Sequence, residues 1–174
     1  MSKKHTFLAT SSTDNTLRIW TVSSPSLLYS FNLSSPACSI SLPEYFDSQE
    51  DKDTEESEGP IVLLSTLSGS LSTIEFSKNL HRTLLSSTPK TSISHIGYIA
   101  SKRLLISLTS NLMKVYQFGT HLDLKQIYEF EILDTKTCAL GAFKMTEEVV
   151  VGDVDGAVRV FDLGKMELVK ETRA

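Results

Sequence analysis

Four times along the chain a strand-like run enters a two-residue turn pair and leaves it as a second alternating run. The pairs are Asp14-Asn15, Ser68-Gly69, Ser110-Asn111 and Asp155-Gly156. Asn or Gly in the second place suits the positive φ that a tight hairpin turn demands. The runs before the pairs read "TFLATSS", "PIVLLSTL", "RLLISLT" and "EVVVGDV". The run after each pair carries a bulky residue five positions beyond it: Trp20, Ile74, Tyr116 and Phe161, at spacings of 54, 42 and 45 residues. A third run follows every hairpin ("LLYSFNL", "HRTLLSS", "KQIYEFEI", "ELVKETR"). Another precedes the second, third and fourth ("ACSISLP", "SISHIGYI", "TCALGAFK").

A period of about 40–45 residues with four short strands per unit predicts an all-β chain built as a β-propeller of four-stranded antiparallel blades. One such sheet has two faces to cover. Stacking sheets around an axis covers both without long free edges. The units run over about 5–34, 36–88, 91–133 and 136–173 of a single domain. Unit one starts at its second strand, so 15 strands, or 3¾ blades, are expected. Propellers close with about 4–8 blades, which leaves an open arc or part of a larger ring. Three explanations stand: a piece of a longer protein, a short protein that another chain or segment completes, or a small ring that closes alone. An open arc leaves the outward faces of its first and fourth sheets apolar, and the isolated chain is then expected to associate.

The chain resembles the WD-repeat β-propellers over nearly its whole length. "LATSSTDNTLRIWT" is the best match: Asp14 falls on the family's turn aspartate, Ser12 on its inner serine or threonine, and Trp20 on its tryptophan. In "VVVGDVDGAVRVFDL", Asp155 stands at the turn and Phe161-Asp162 where the Trp-Asp dipeptide would be. The resemblance implies a buried hydrogen-bond network of these residues with a histidine. The middle units depart from the pattern, with Ser68 and Ser110 in place of the aspartate and Ile74 and Tyr116 in place of the tryptophan. No Gly-His pair precedes any inner strand. The function implied is a non-catalytic protein–protein interaction scaffold that assembles a multiprotein complex. Contacts are expected at the loop ends before the inner strands, at Ser35, Thr91 and Lys136.

With 174 residues, 40% of them hydrophobic and 22% charged, the chain can build a real core. No apolar run approaches the ~18 residues of a membrane span, and "MSKKHTFLATSSTDN" lacks an apolar signal core. A cytoplasmic or nuclear protein is expected. Cys38 and Cys138 are expected to be buried thiols, not a pair or a metal site. Residues 44–59, "EYFDSQEDKDTEESEG", hold eight acids and one base. They carry −7 of a total −4 and leave +3 for the rest. Such a segment is expected to be an exposed, disordered loop. It also offers Glu50, Asp51, Asp53, Glu55 and Glu56 to a basic partner, and Ser48 to an acid-directed kinase. A mildly basic body without aromatic-and-basic clusters argues against a nucleic-acid reader, which is kept as a lesser alternative.

Signals for chemistry are sparse. His5, His81, His95 and His121 stand at no ligand spacing from one another or from a cysteine, so neither metal nor cofactor is expected. "GDVDG" at 152–156 lacks the further oxygen ligands and flanking helices of a calcium loop and reads as a hairpin turn. Arg18, Lys114 and Arg159 stand two before their anchors, as alternation in a strand requires of a polar position. The enzymatic alternative is a small hydrolase site at the channel mouth, for instance His95 with Asp134.

Overall fold

A computed structural model of the chain describes residues 7–22, 24–42, 61–75, 80–86, 92–119, 123–132, 137–143 and 147–173. These form fifteen strands in four antiparallel up-and-down sheets. Sheet 1 holds β1 (Phe7–Ser11), β2 (Thr16–Thr21) and β3 (Ser26–Asn32). Sheet 2 holds β4 (Ala37–Ser41), β5 (Ile61–Thr66), β6 (Ser70–Glu75) and β7 (Leu80–Ser86). Sheet 3 holds β8 (His95–Ile99), β9 (Leu104–Leu108), β10 (Leu112–Phe118) and β11 (Leu124–Glu131). Sheet 4 holds β12 (Thr137–Phe143), β13 (Glu148–Asp153), β14 (Ala157–Asp162) and β15 (Glu167–Arg173). Of the run "SISHIGYI", only its second half is strand; Ser94 instead donates its hydroxyl to the Leu108 carbonyl at 3.1 Å.

The sheets stack in chain order. The innermost strands β4, β8 and β12 neighbour one another, and β1 lies against β4. The amide of Ile96 in β8 donates to Ser39 Oγ in β4 at 3.2 Å, a direct tie between two sheets. Among the described residues no comparable contact joins sheet 4 back to sheet 1, so the arc is open.

Buried side chains gather into one hydrophobic cluster per sheet interface. Leu17, Ile19 and Phe31 of sheet 1 meet Val62, Leu64 and Ile74 of sheet 2. On the other side of sheet 2, Ile61, Leu63 and Leu71 meet Leu105, Tyr116 and Phe118 of sheet 3. Ile106, Leu108, Met113 and Val115 of sheet 3 then meet Val149, Val151 and Phe161 of sheet 4. This division explains the strand compositions. The second strands of sheets 2 and 3, "IVLLST" and "LLISL", are buried at every position because both faces are covered. In the corresponding strands of sheets 1 and 4 one face is covered: "EVVVGD" buries alternate positions, and "FLATS" buries Ala9 between the exposed Leu8 and Thr10.

The register repeats too. In sheets 1, 3 and 4 a β-bulge falls immediately before the anchor, at Ile19/Trp20, Val115/Tyr116 and Val160/Phe161. In sheet 2 the bulge lies earlier, at Leu71/Ser72. Three hairpin turns use the positive φ expected of them, at Asn15 (64°), Gly69 (83°) and Gly156 (79°). Asn111 does not, because its hairpin is one residue shorter: Leu108 pairs with Met113, whereas Ser11 pairs with Leu17 and Gly152 with Val158. Gly69→Val and Gly156→Val are therefore expected to cost about 1–2 kcal/mol each, the penalty of a side chain in the left-handed region. Asn111→Ala is expected to stay within about 0.5 kcal/mol. Urea unfolding of the three variants measures the difference.

Candidate interaction surface

The hairpin turns and the connections between sheets share one rim of the arc. Each outermost strand runs back to the level of the hairpin turn, as Asn32 opposite Thr16 shows. The amide of Leu67 in the second turn donates to the Pro36 carbonyl at 2.9 Å, which places Ser35 and Pro36 beside that turn. Ser35 is half-buried there. Leu67 and Val154 occupy the same place in their turns and are among the most exposed large apolar side chains, at 60% and 58%. Thr91 and Lys136, the other two loop-end candidates, lie outside the described residues. So does the whole of 43–60, with Ser48 and the acidic candidates Glu50, Asp51, Asp53, Glu55 and Glu56.

One residue type builds all four turns. The position just after the last cross-strand pair of each hairpin carries a short oxygen side chain that caps its own turn. Ser12 Oγ accepts from the Asp14 amide at 3.3 Å, and Thr66 Oγ1 from the Ser70 amide at 3.2 Å. Thr109 Oγ1 accepts from the Leu112 amide at 3.1 Å. Asp153 Oδ1 accepts from the amides of Asp155 and Ala157 at 3.0 and 2.9 Å. Asp155 stands at the fourth turn, but the side chain that caps it is that of Asp153, because an acid at this earlier position reaches two turn amides at once. Asp155 is exposed and supplies one of those amides. The signal was present as Ser, Thr, Thr and Asp in the last place before each turn.

In unit one the resemblance implies a single network of Ser12, Asp14 and Trp20; the structure joins Ser12 to Asp14 and sets Trp20 apart. Asp14 accepts from the amide and hydroxyl of Thr16 and from Arg18 Nη2 at 3.2 Å. Trp20 Nε1 donates to Thr10 Oγ1 at 2.9 Å, and both groups are accessible to solvent. In unit four Phe161 is buried against Phe130, with ring centroids 4.9 Å apart, while Asp162 caps the following turn through the amides of Gly164 and Lys165 at 2.8 and 3.0 Å.

The repeated bases are cross-strand or turn partners. Lys114 Nζ lies 3.2 Å from Glu129, its direct neighbour on β11. Arg159 joins Asp153 at 3.0 Å and Glu171 at 3.1 Å, with its side chain only 5% exposed. Arg18 joins Asp14 at 3.2 Å with 34% of its side chain exposed. Burial pushes the Asp153 carboxyl up, but the Ala157 amide, the Arg159 guanidinium and the Asp155 amide together leave it below the ordinary carboxylate range. Asp162 is lowered, first by the Lys165 amide. Asp14 falls from 3.8 to about 2, first through the Thr16 hydroxyl and with further help from the Thr16 amide and Arg18.

A carboxylate whose folded pKa lies below its unfolded value stabilises the fold above the unfolded pKa. That contribution is lost as pH falls through the folded one. The gap in melting temperature between the parent chain and Asp14→Asn is therefore expected to be constant at neutral pH and to close as pH drops from about 4 toward about 2. A gap that does not change with pH would contradict the Asp14 geometry.

Cys38 is half-buried, not fully buried as the sequence suggested, and desolvation pushes its thiol up. His95 is half-buried with Nδ1 3.1 Å from Ser94 Oγ. Asp134, its partner in the hydrolase alternative, lies outside the described residues, as do His5 and His121 and the side chain of His81. Among the described residues no group of His, Cys, Asp or Glu side chains is placed to hold a metal ion, and no helix is long and apolar enough to cross a membrane.

No family model matches the sequence. WD repeat-containing protein 90 of Xenopus tropicalis is 23% identical over 163 residues, which is 94% of this chain and 8% of that protein. The crystal structure of Saccharomyces cerevisiae Sqt1, a WD-repeat propeller protein, superposes with a TM-score of 0.72 at 16% identity, over 98% of this chain and 46% of that one. The chain thus spans less than half the length of the solved structure and a small part of the relative.

Proposed function

From the premise that this chain is an arc of a WD-repeat β-propeller, we propose that it works as a non-catalytic protein-interaction scaffold in the cytoplasm or nucleus, contributing to a multiprotein complex. The observation that carries this reading is the rim, where Leu67 and Val154 stand exposed at equivalent turns on a rigid stack of sheets. Apolar side chains held on short capped turns lose little entropy on docking, and exposed apolar groups with polar neighbours are the usual makings of a protein contact. Ser35 lies on the same rim. Thr91, Lys136 and the acidic stretch extend the proposal from the sequence, the last as a docking segment for a basic partner.

The test is affinity capture with the chain as bait, compared with Leu67→Asp/Val154→Asp and with a deletion of residues 46–58. A protein retained in stoichiometric amount should be lost with the rim variant and held more weakly, in a salt-dependent way, by the deletion. All three baits should keep the same far-UV circular dichroism. A partner retained equally by all three baits, or no retained partner, would overturn the assignment of the rim.

A further inference from the structure

The four sheets provide their own template for what covers an exposed face. In each, one residue of the second strand lies directly opposite the anchor: Leu8 opposite Trp20, Val62 opposite Ile74, Leu105 opposite Tyr116 and Val149 opposite Phe161. Ile74, Tyr116 and Phe161 all point toward the preceding sheet, as the three clusters show. Val62, Leu105 and Val149 are fully buried, whereas Leu8 is 51% exposed. Leu27, across from Trp20 on β3, is 48% exposed. The face of sheet 1 that carries Leu8, Trp20 and Leu27 is therefore built like three buried faces of the same molecule, and none of the described residues covers it.

The complement is also on this chain. The faces that receive an anchor are formed by the intervening positions of the same two strands: Ala9 with Ile19, Leu63 with Thr73, and Ile106 with Val115. The corresponding pair in sheet 4 is Val150 with Val160, flanked by Val158. Val150 and Val160 are half-buried and Val158 is exposed. The arc thus carries an unfilled anchor face at one end and an unfilled receiving face at the other. Such a pair of surfaces joins head to tail and either closes into a ring or runs on as a filament. Closure is favoured by size. Each copy brings four sheets, so a pair has eight, within the usual range for propellers. The arc also superposes on 46% of a propeller chain.

We propose that the occupant of the sheet 1 face is sheet 4 of a second copy of this chain, so that two copies form a closed two-fold pair with two identical seams. At each seam Trp20 and Leu8 of one copy rest on Val150, Val158 and Val160 of the other. Arg18, half-buried in the single chain, and Asp14, exposed in it, are covered there as Arg159 and Asp153 are covered between sheets 3 and 4. This inference stands apart from the rim reading: it concerns how the chain meets itself, and either can fail alone.

Light scattering over a dilution series of residues 1–174 should give twice the 19.3 kDa of the chain at high concentration and 19.3 kDa on dilution. Trp20 is the chain's one tryptophan, so its emission maximum should move to shorter wavelength as the pair forms. Leu8→Glu, at a site the single fold leaves exposed, and Val160→Lys should each give a folded monomer with concentration-independent emission. Mixing the two variants restores one native seam and should return a species of two chains. A folded 19.3 kDa parent chain with constant Trp20 emission would overturn the proposal and leave the face to a sheet from elsewhere. So would an open-ended polymer. A pair that survives Leu8→Glu, or variants that do not rescue each other on mixing, would also overturn it, the last by pointing to like-with-like contact.

Discussion

Ile106→Ala lowers the stability of this chain by about 2–5 kcal/mol, the usual range for truncating a large buried aliphatic side chain. Ile106 is fully buried in the middle of β9, the strand covered on both sides, and it belongs to the cluster between sheets 3 and 4. Its neighbours Leu105 and Leu104 point to opposite interfaces, Leu105 into the cluster with sheet 2 and Leu104 into that with sheet 4. The cavity left by the missing carbons cannot be filled from one side without pulling on the other. Leu67→Ala removes a leucine from an exposed turn and is expected to stay within about 0.5 kcal/mol. Urea unfolding of both variants checks the pair of outcomes. A mild Ile106→Ala would mean that sheets 3 and 4 do not pack as described.

Arg159→Ala is the second large effect. The side chain is buried between sheets 3 and 4, where it neutralises the buried Asp153 carboxylate and reaches Glu171 across the strand pair. Removing it leaves a carboxylate out of water with, among the described residues, the amides of Asp155 and Ala157 as its partners. An uncompensated buried charge is far more costly than a lost exposed pair. Arg18→Ala, in the same position of unit one, breaks an ion pair that water already screens. The folding equilibrium constant is expected to fall at least roughly tenfold further for Arg159→Ala than for Arg18→Ala. Equal effects would show that the two positions have the same environment, and the contrast between a covered and an uncovered sheet would be lost. If the two-copy seam forms, the difference should also shrink as protein concentration rises, since Arg18 is then covered.

Much of this was legible in the residues. Alternation, turn pairs and the anchor spacing located the fifteen strands because side-chain direction in a strand depends only on local backbone geometry. Even the distinction between inner and end sheets was written in "IVLLST" and "LLISL" against "FLATS" and "EVVVGD". What stayed hidden were relations between residues that are close in the sequence but differ by one step in register. Asp155 and Asp153 are two apart, and only the course of the turn decides which carboxylate faces the amides. Trp20 finds Thr10 and not Ser12 because the antiparallel register sets Trp20 opposite Leu8, two pairs beyond Thr10 opposite Arg18 and so next to it on the same face. The third turn needed no positive φ, since one residue fewer separates its strands.

The amino-acid order alone determined the module: strand, turn, anchored strand and return, four times over, each with one short oxygen side chain to hold its turn. Those choices rest on torsion angles and neighbours a few residues away, which act before any sheet meets another. Only the tertiary structure decided which copies of the module are covered. Trp20 with Arg18 and Phe161 with Arg159 are the same pattern in sequence, yet one pair lies open and the other is enclosed. Burial is a property of the surface brought against a residue, and that surface belongs to the next sheet in the stack.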